Sequence, residues 1–173
     1  MSRFFSGSRY WIGLLFVGLT FETVALYYQY GLGYDPCVLC IHVRLWVAAL
    51  MLLALAGIAL HRHRDALLLI SSIALVPAIG LLERSWATLG VERGWVMGVC
   101  SMELGLPEWF AVDRWLPSVF EALEACGYTP VLAFGITMAE ALVATAGVLV
   151  LTSMAACTAC AKAILFHDIH NDT

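Results

Sequence analysis

Four apolar runs, each close to the length of a lipid bilayer's hydrocarbon core, decide what this chain can fold into. A helix rises ~1.5 Å per residue, so about 20 residues cross ~30 Å of hydrocarbon. Runs at 11–30, 41–60 and 66–82 approach that length, and a fourth lies near the C-terminal end. Apolar residues make up 62% of the 173, charged residues only 13%, and mean hydropathy is +0.88. A soluble domain carries about 25% charge. So little polar surface cannot coat a water-exposed bundle, and no clustered basic face suits nucleic acid. The expectation is an all-α membrane protein, a four-transmembrane-helix bundle in contact with lipid. No repeat or low-complexity linker divides it, so residues 1–173 read as a single membrane domain.

The first run carries aromatic anchors at both ends: Tyr10 and Trp11, then Tyr27, Tyr28 and Tyr30. A cleaved signal peptide is the rival reading, since Arg3 and Arg9 precede it. Glu22 inside the run, and bulky tyrosines in place of a small-residue cleavage site, argue for a retained span. Pro77 interrupts the third run and predicts a kink there. For the fourth, Thr137-Met-Ala-Glu140 fits the S/T-x-x-E capping box, which starts the helix near Met138 and carries it over 138–161. The segment 83–136 is then one long loop. Within it Leu106, Trp109, Phe110, Leu116, Val119, Phe120 and Leu123 approximate helical spacing, as in a short interfacial helix lying on the membrane. A loop packed on itself fits that spacing equally well.

Basic residues fix the orientation. Arg3 and Arg9 precede the first span, Arg62 and Arg64 fill the turn after the second, and the linker 31–36 has none. The positive-inside rule puts both termini and the 61–65 turn in the cytoplasm. The linker and the long loop then face the opposite, oxidising side. Between 83 and 126 seven acidic residues outweigh three arginines.

Four of the six cysteines fall on that side: Cys37, Cys40, Cys100 and Cys126. Four thiols allow three connectivities. The pair in Cys37-Val-Leu-Cys40 is close enough in sequence to bridge, which leaves Cys100 with Cys126. The second bridge, taken alone, suits a structural staple. So small a ring as Cys37–Cys40 constrains little chain entropy and reads better as redox chemistry. Arg44 lies four residues after Cys40, one turn on if the helix begins there, where a guanidinium and the helix N-terminus both favour a thiolate. A snorkelling arginine is the plain alternative. Glu22, an acid inside a span, suits either an ion pair with Arg44 or proton handling. No metal-ligand set has adequate spacing.

Phe21-Glu-Thr-Val-Ala-Leu-Tyr-Tyr-Gln29 followed by Asp35-Pro-Cys-Val-Leu-Cys-Ile-His-Val-Arg44 resembles the first helix and redox motif of the DsbB family of bacterial inner-membrane disulfide oxidoreductases. So do Leu106-Pro-Glu-Trp-Phe-Ala-Val-Asp-Arg-Trp-Leu-Pro-Ser-Val-Phe120 and Phe134-Gly-Ile-Thr-Met-Ala-Glu140. The likeness covers about residues 10–155. It implies a multi-pass inner-membrane enzyme with periplasmic redox loops. It implies a DsbA-like periplasmic thiol oxidase as partner, and ubiquinone or menaquinone as cofactor. By motif position Cys100 receives the partner's thiolate and Cys126 is released. Cys126 then attacks Cys37, freeing Cys40 beside the quinone, with Arg44 and Cys40 at the cofactor. Glu22 is the third candidate in that pocket. Two features depart from the usual pattern: Ala141 stands where many relatives carry tryptophan, and Cys157-Thr-Ala-Cys160 is an additional pair. The cytoplasmic end of the fourth span is where that pair falls.

Two other readings compete. A vitamin K epoxide reductase-like protein also joins four helices, quinone chemistry and C-x-x-C, but carries its membrane C-x-x-C late in the chain. A non-catalytic tetraspan scaffold would use Cys100–Cys126 as a staple and have no need of Cys37 and Cys40.

Overall fold

The computed structural model describes residues 7–96, 104–124, 130–133 and 135–171; Cys100 and Cys126 lie outside them. Four long helices dominate: α1 (Ser8–Leu26), α2 (Val38–Ala59), α3 (Arg64–Glu92) and α4 (Met138–Asn171). All four are long and apolar enough to cross a membrane. α1 ends in a π turn, Tyr27–Gly31. Gly33, at φ +73°, then turns the chain where a side chain would be strained. The short turn at 61–63 and the linker before Cys37 make neighbouring helices antiparallel. α3 packs most broadly on α4 and α2, and α1 on α2. Tyr10 and Ser153, sharing a buried 3.2 Å hydrogen bond, join α1 to α4. The chain is a four-helix membrane bundle.

The bundle is apolar outside as well as inside. Phe16, Leu52, Leu69, Val76 and Leu151 are each more than 60% exposed, all on the long helices. Lipid in place of water removes the hydrophobic drive for helix association, so close fit must supply it. Small residues provide that fit. Ala54, Ala74, Ala78, Ala146 and Ala156 are buried at the crossings. A Cβ on Gly57 would come within 2.3 Å of the Trp11 indole, and one on Gly80 within 2.6 Å of Trp46. Ser71 and Ser85, also buried, turn their hydroxyls back onto Leu67 and Leu81 carbonyls at 2.7 Å. Such back-bonding satisfies them inside a dry interface.

α3 continues past the end of its apolar run at Leu82 to Glu92, and Pro77 sits within it, buried. The extra turns stand above the membrane-length stretch, where Arg93 caps the helix and pairs with Glu140 at the start of α4. α4 begins on a reciprocal capping box. The Thr137 amide donates to Glu140 Oε2 at 3.1 Å and the Glu140 amide to Thr137 Oγ1 at 3.3 Å. Before it, Val131–Ala133 pairs antiparallel with Ile136–Thr137.

The apolar stretch after Leu106 forms three one-turn pieces, Glu108–Phe110, Val112–Trp115 and Pro117–Phe120. Ala111 and Leu116 break it, with ψ of 71° and 66°. Phe110, Val112 and Phe120 pack with Leu104 and Leu106 onto Val38 and Ile41 of α2. Trp109 and Trp115 point outward, 77% and 61% exposed. The segment is therefore seated on α2 on one side and aromatic on the other, as an interfacial element must be.

Candidate redox site

The site begins where α2 begins. Asp35-Pro36 keeps the chain extended. Cys37 (φ −86°, ψ 165°) is the N-cap, its sulfur accepting the Cys40 amide hydrogen at 3.3 Å. The Ile41 amide closes the first turn on the Cys37 carbonyl at 3.1 Å. Both sulfurs thus sit at the positive end of a 22-residue helix.

Arg44, one turn further, is only 6% exposed. That burial rules out snorkelling. Nη1 donates to Gln29 Oε1 at 2.6 Å and to the Val119 carbonyl at 3.0 Å, and Nη2 to the Ala25 carbonyl at 3.2 Å. Three of its five N–H groups are used. Among the described residues no carboxylate lies within 4.0 Å of it; the ion pairs there are Arg84–Glu83 and Arg93–Glu140. Glu22 therefore makes no direct ion pair with Arg44, though both line one cavity.

That cavity has an empty volume of about 1020 Å³, part of it open to the outside. Phe21, Val24, Val43, Val47, Met138 and Leu142 make it mostly apolar. Cys37, Cys40, Arg44 and Glu22 supply its polar wall, and Ala141 lies in the wall contributed by α4. The outer loop closes over this end. The Leu123 amide donates to the Pro36 carbonyl at 3.2 Å, and Glu124 forms a parallel backbone bridge with Cys37. Glu124 is two residues before Cys126 in sequence.

Two residues that the sequence reading did not assign to the site hold this arrangement. Gln29 bonds Arg44. Half-buried His42 bonds the Leu104 carbonyl through Nε2 at 2.9 Å, pinning the loop four positions after Cys100. Gln29 falls seven residues after Glu22, the spacing of two helical turns, which is the one signal that might mark it. Cys157 and Cys160 lie elsewhere, at the other end of the bundle beside Ser72 (3.5 Å) and Ser71 (3.8 Å).

The model of the family "Disulfide bond formation protein DsbB" matches residues 7–156. Disulfide bond formation protein B of Haemophilus influenzae is 35% identical over 146 residues, covering 80% of each chain. The protein of that name in Shewanella loihica is 32% identical over 159 residues, 83% of this chain and 84% of its own. Disulfide bond formation protein B 2 of Pseudomonas aeruginosa is 34% identical over 120 residues, 68% and 71% of the two chains. With a cysteine pair at a helix N-terminus, a buried arginine one turn on and four membrane-length helices around them, the chain belongs to the DsbB family of disulfide bond formation proteins.

Proposed function

We propose that this protein reoxidises a soluble DsbA-like thiol oxidase on the outer face of a bacterial inner membrane and passes the electrons to a membrane quinone. The observation that carries the reading is a juxtaposition. Cys37, Cys40 and buried Arg44 open on one apolar cavity, while the outer loop is paired to Cys37 two residues short of Cys126. Two residues of extended chain span at most about 7 Å. On this reading Cys126 exchanges with the Cys37–Cys40 pair.

The sequence of exchanges conserves electrons at each step. A partner thiolate attacks Cys100 of a Cys100–Cys126 disulfide, and the partner's second thiol completes its own disulfide, leaving Cys100 and Cys126 reduced. Cys126 attacks Cys37 of a Cys37–Cys40 disulfide, and Cys100 resolves the link by attacking Cys126. Cys37 and Cys40 then hold two electrons as dithiol at the cavity wall. A bound quinone supplies the two-electron acceptor, which a strong oxidant such as DsbA requires of its own oxidant. The residues present fit it: apolar walls, and a fixed cation with N–H groups unused among the described residues, suit a ring bearing hydrogen-bond-accepting oxygens. Arg44 orients and balances charge. The cysteines do the covalent work.

Arg9, Arg62 and Arg64 gather at the end of the bundle opposite Cys37, and by the positive-inside rule this supports a cytoplasmic place for that end and a periplasmic one for the redox loops. The test is purified protein, a reduced DsbA-like oxidase and a short-chain ubiquinone in detergent. One disulfide should form per quinone consumed, and Cys126→Ser should accumulate the oxidase disulfide-linked to Cys100. Normal quinone-dependent turnover by Cys100→Ser/Cys126→Ser would overturn the relay.

A further inference from the structure

One side chain holds the Arg44 guanidinium from behind. Gln29 lies in the middle of the π turn Tyr27–Gly31 and does not line the cavity. Wide turns of this kind interrupt α-helices frequently at functional positions. Its Oε1 accepts from Arg44 Nη1 at 2.6 Å, and its Nε2 donates to the Ser118 carbonyl at 3.0 Å. Tyr30, the next residue, gives its hydroxyl hydrogen to the same carbonyl, and Arg44 itself reaches the Val119 carbonyl. A primary amide is what such a position needs, because acceptor and donor sit on one rigid group.

We propose that Gln29 is a positioning residue, aiming the Arg44 guanidinium into the cavity and coupling that aim to the seating of the outer-loop turn Pro117–Phe120. The inference rests on the reading of Arg44 as the cofactor-facing cation. The turn lies in the stretch of chain between Cys100 and Cys126, so a loop shift during thiol exchange is transmitted to the cavity through the Gln29 amide as well as through the direct contact of Arg44 with the Val119 carbonyl. Such coupling is reciprocal: whatever loosens the guanidinium also loosens the turn.

Two readouts on the full chain test it. The first needs neither quinone nor turnover: hydrogen exchange at the amides of Val119, Phe120 and Glu121, which bond the Leu116 and Pro117 carbonyls. Gln29→Ala should speed it about tenfold, the scale of one hydrogen bond within a charged network. The second is the KM for a short-chain ubiquinone, which Gln29→Ala should raise on the order of tenfold while the KM for the reduced thiol oxidase stays within twofold. Gln29→Glu separates the halves, since a carboxylate accepts from Arg44 but donates nothing to Ser118. It should restore the quinone KM and leave exchange fast. Gln29→Ala/Arg44→Ala should be no worse in quinone KM than Arg44→Ala alone. Additive effects, or an unchanged quinone KM in Gln29→Ala where Arg44→Ala raises it, would overturn the positioning role. Unchanged exchange would overturn the coupling. An unchanged KM in Arg44→Ala itself would instead sink the cofactor reading on which both rest.

Discussion

Among the described residues Arg44 is a buried cation bonded only to carbonyl and amide oxygens. Its charge is dispersed over three elements and neutralised by none of them directly. Arg44→Ala should raise the quinone KM at least about tenfold, and Arg44→Lys should restore only part, because an ammonium lacks the planar fork that reaches Gln29, Val119 and Ala25 together. Steady-state kinetics against quinone concentration decides it. The placing of Cys37, Cys40 and Arg44 together at the start of α2 was legible from local spacing alone, since one helical turn relates Cys40 to Arg44. Gln29 was not. Its partners Ser118 and Arg44 stand 89 and 15 positions away, and only the folded loop brings them to it.

At the level of elements, the bundle depends on glycine and alanine where helices cross. Gly57→Val should destabilise the protein by about 1–3 kcal/mol or more, because even a Cβ meets Trp11 at 2.3 Å and Trp11 is wholly buried. Thermal unfolding in detergent would show it, and Gly147→Ala, with open space around its Cβ, is the matched control. Glu140→Ala should lower the unfolding midpoint in the same assay by opening the capping box and releasing Arg93. The start of α4 could be read from Thr137 and Glu140 because a cap is a local signal. The end of α3 could not. Hydropathy stops at Leu82, whereas backbone hydrogen bonding continues to Glu92 through Glu83, Arg84 and Thr88, residues suited to the region above the hydrocarbon. The segment after Leu106 shows the converse limit. Its periodicity suggested a helix, but the conformations at Ala111 and Leu116 divide it into single turns that α2 then holds in place.

Across the whole molecule the two C-x-x-C pairs stand at opposite ends of the bundle. Exchange requires contact between sulfurs. Cys157→Ala/Cys160→Ala should therefore oxidise the thiol partner at the wild-type rate, and a large drop with insertion and quinone content intact would refute the proposed relay or orientation. Four helices and a membrane setting were plain in the sequence, because apolar length is a bulk property. The enclosure of the redox end was not, since Leu123 and Glu124 pair with Pro36 and Cys37, and Pro130 and Leu132 join the cavity wall, only in the folded chain. On the proposed reading the lining of the cavity also governs where the protons of the reaction travel. A guanidinium serves there as a hydrogen-bond donor, and the protons that the proposed two-electron reduction consumes come from other groups. Glu22, Asp35 and Glu124 line the same cavity, on whose wall the thiols of Cys37 and Cys40 also lie. On the proposed relay and orientation, electrons and protons enter and leave from one aqueous phase, no net charge crosses the bilayer in a turnover, and the rate should be indifferent to membrane voltage.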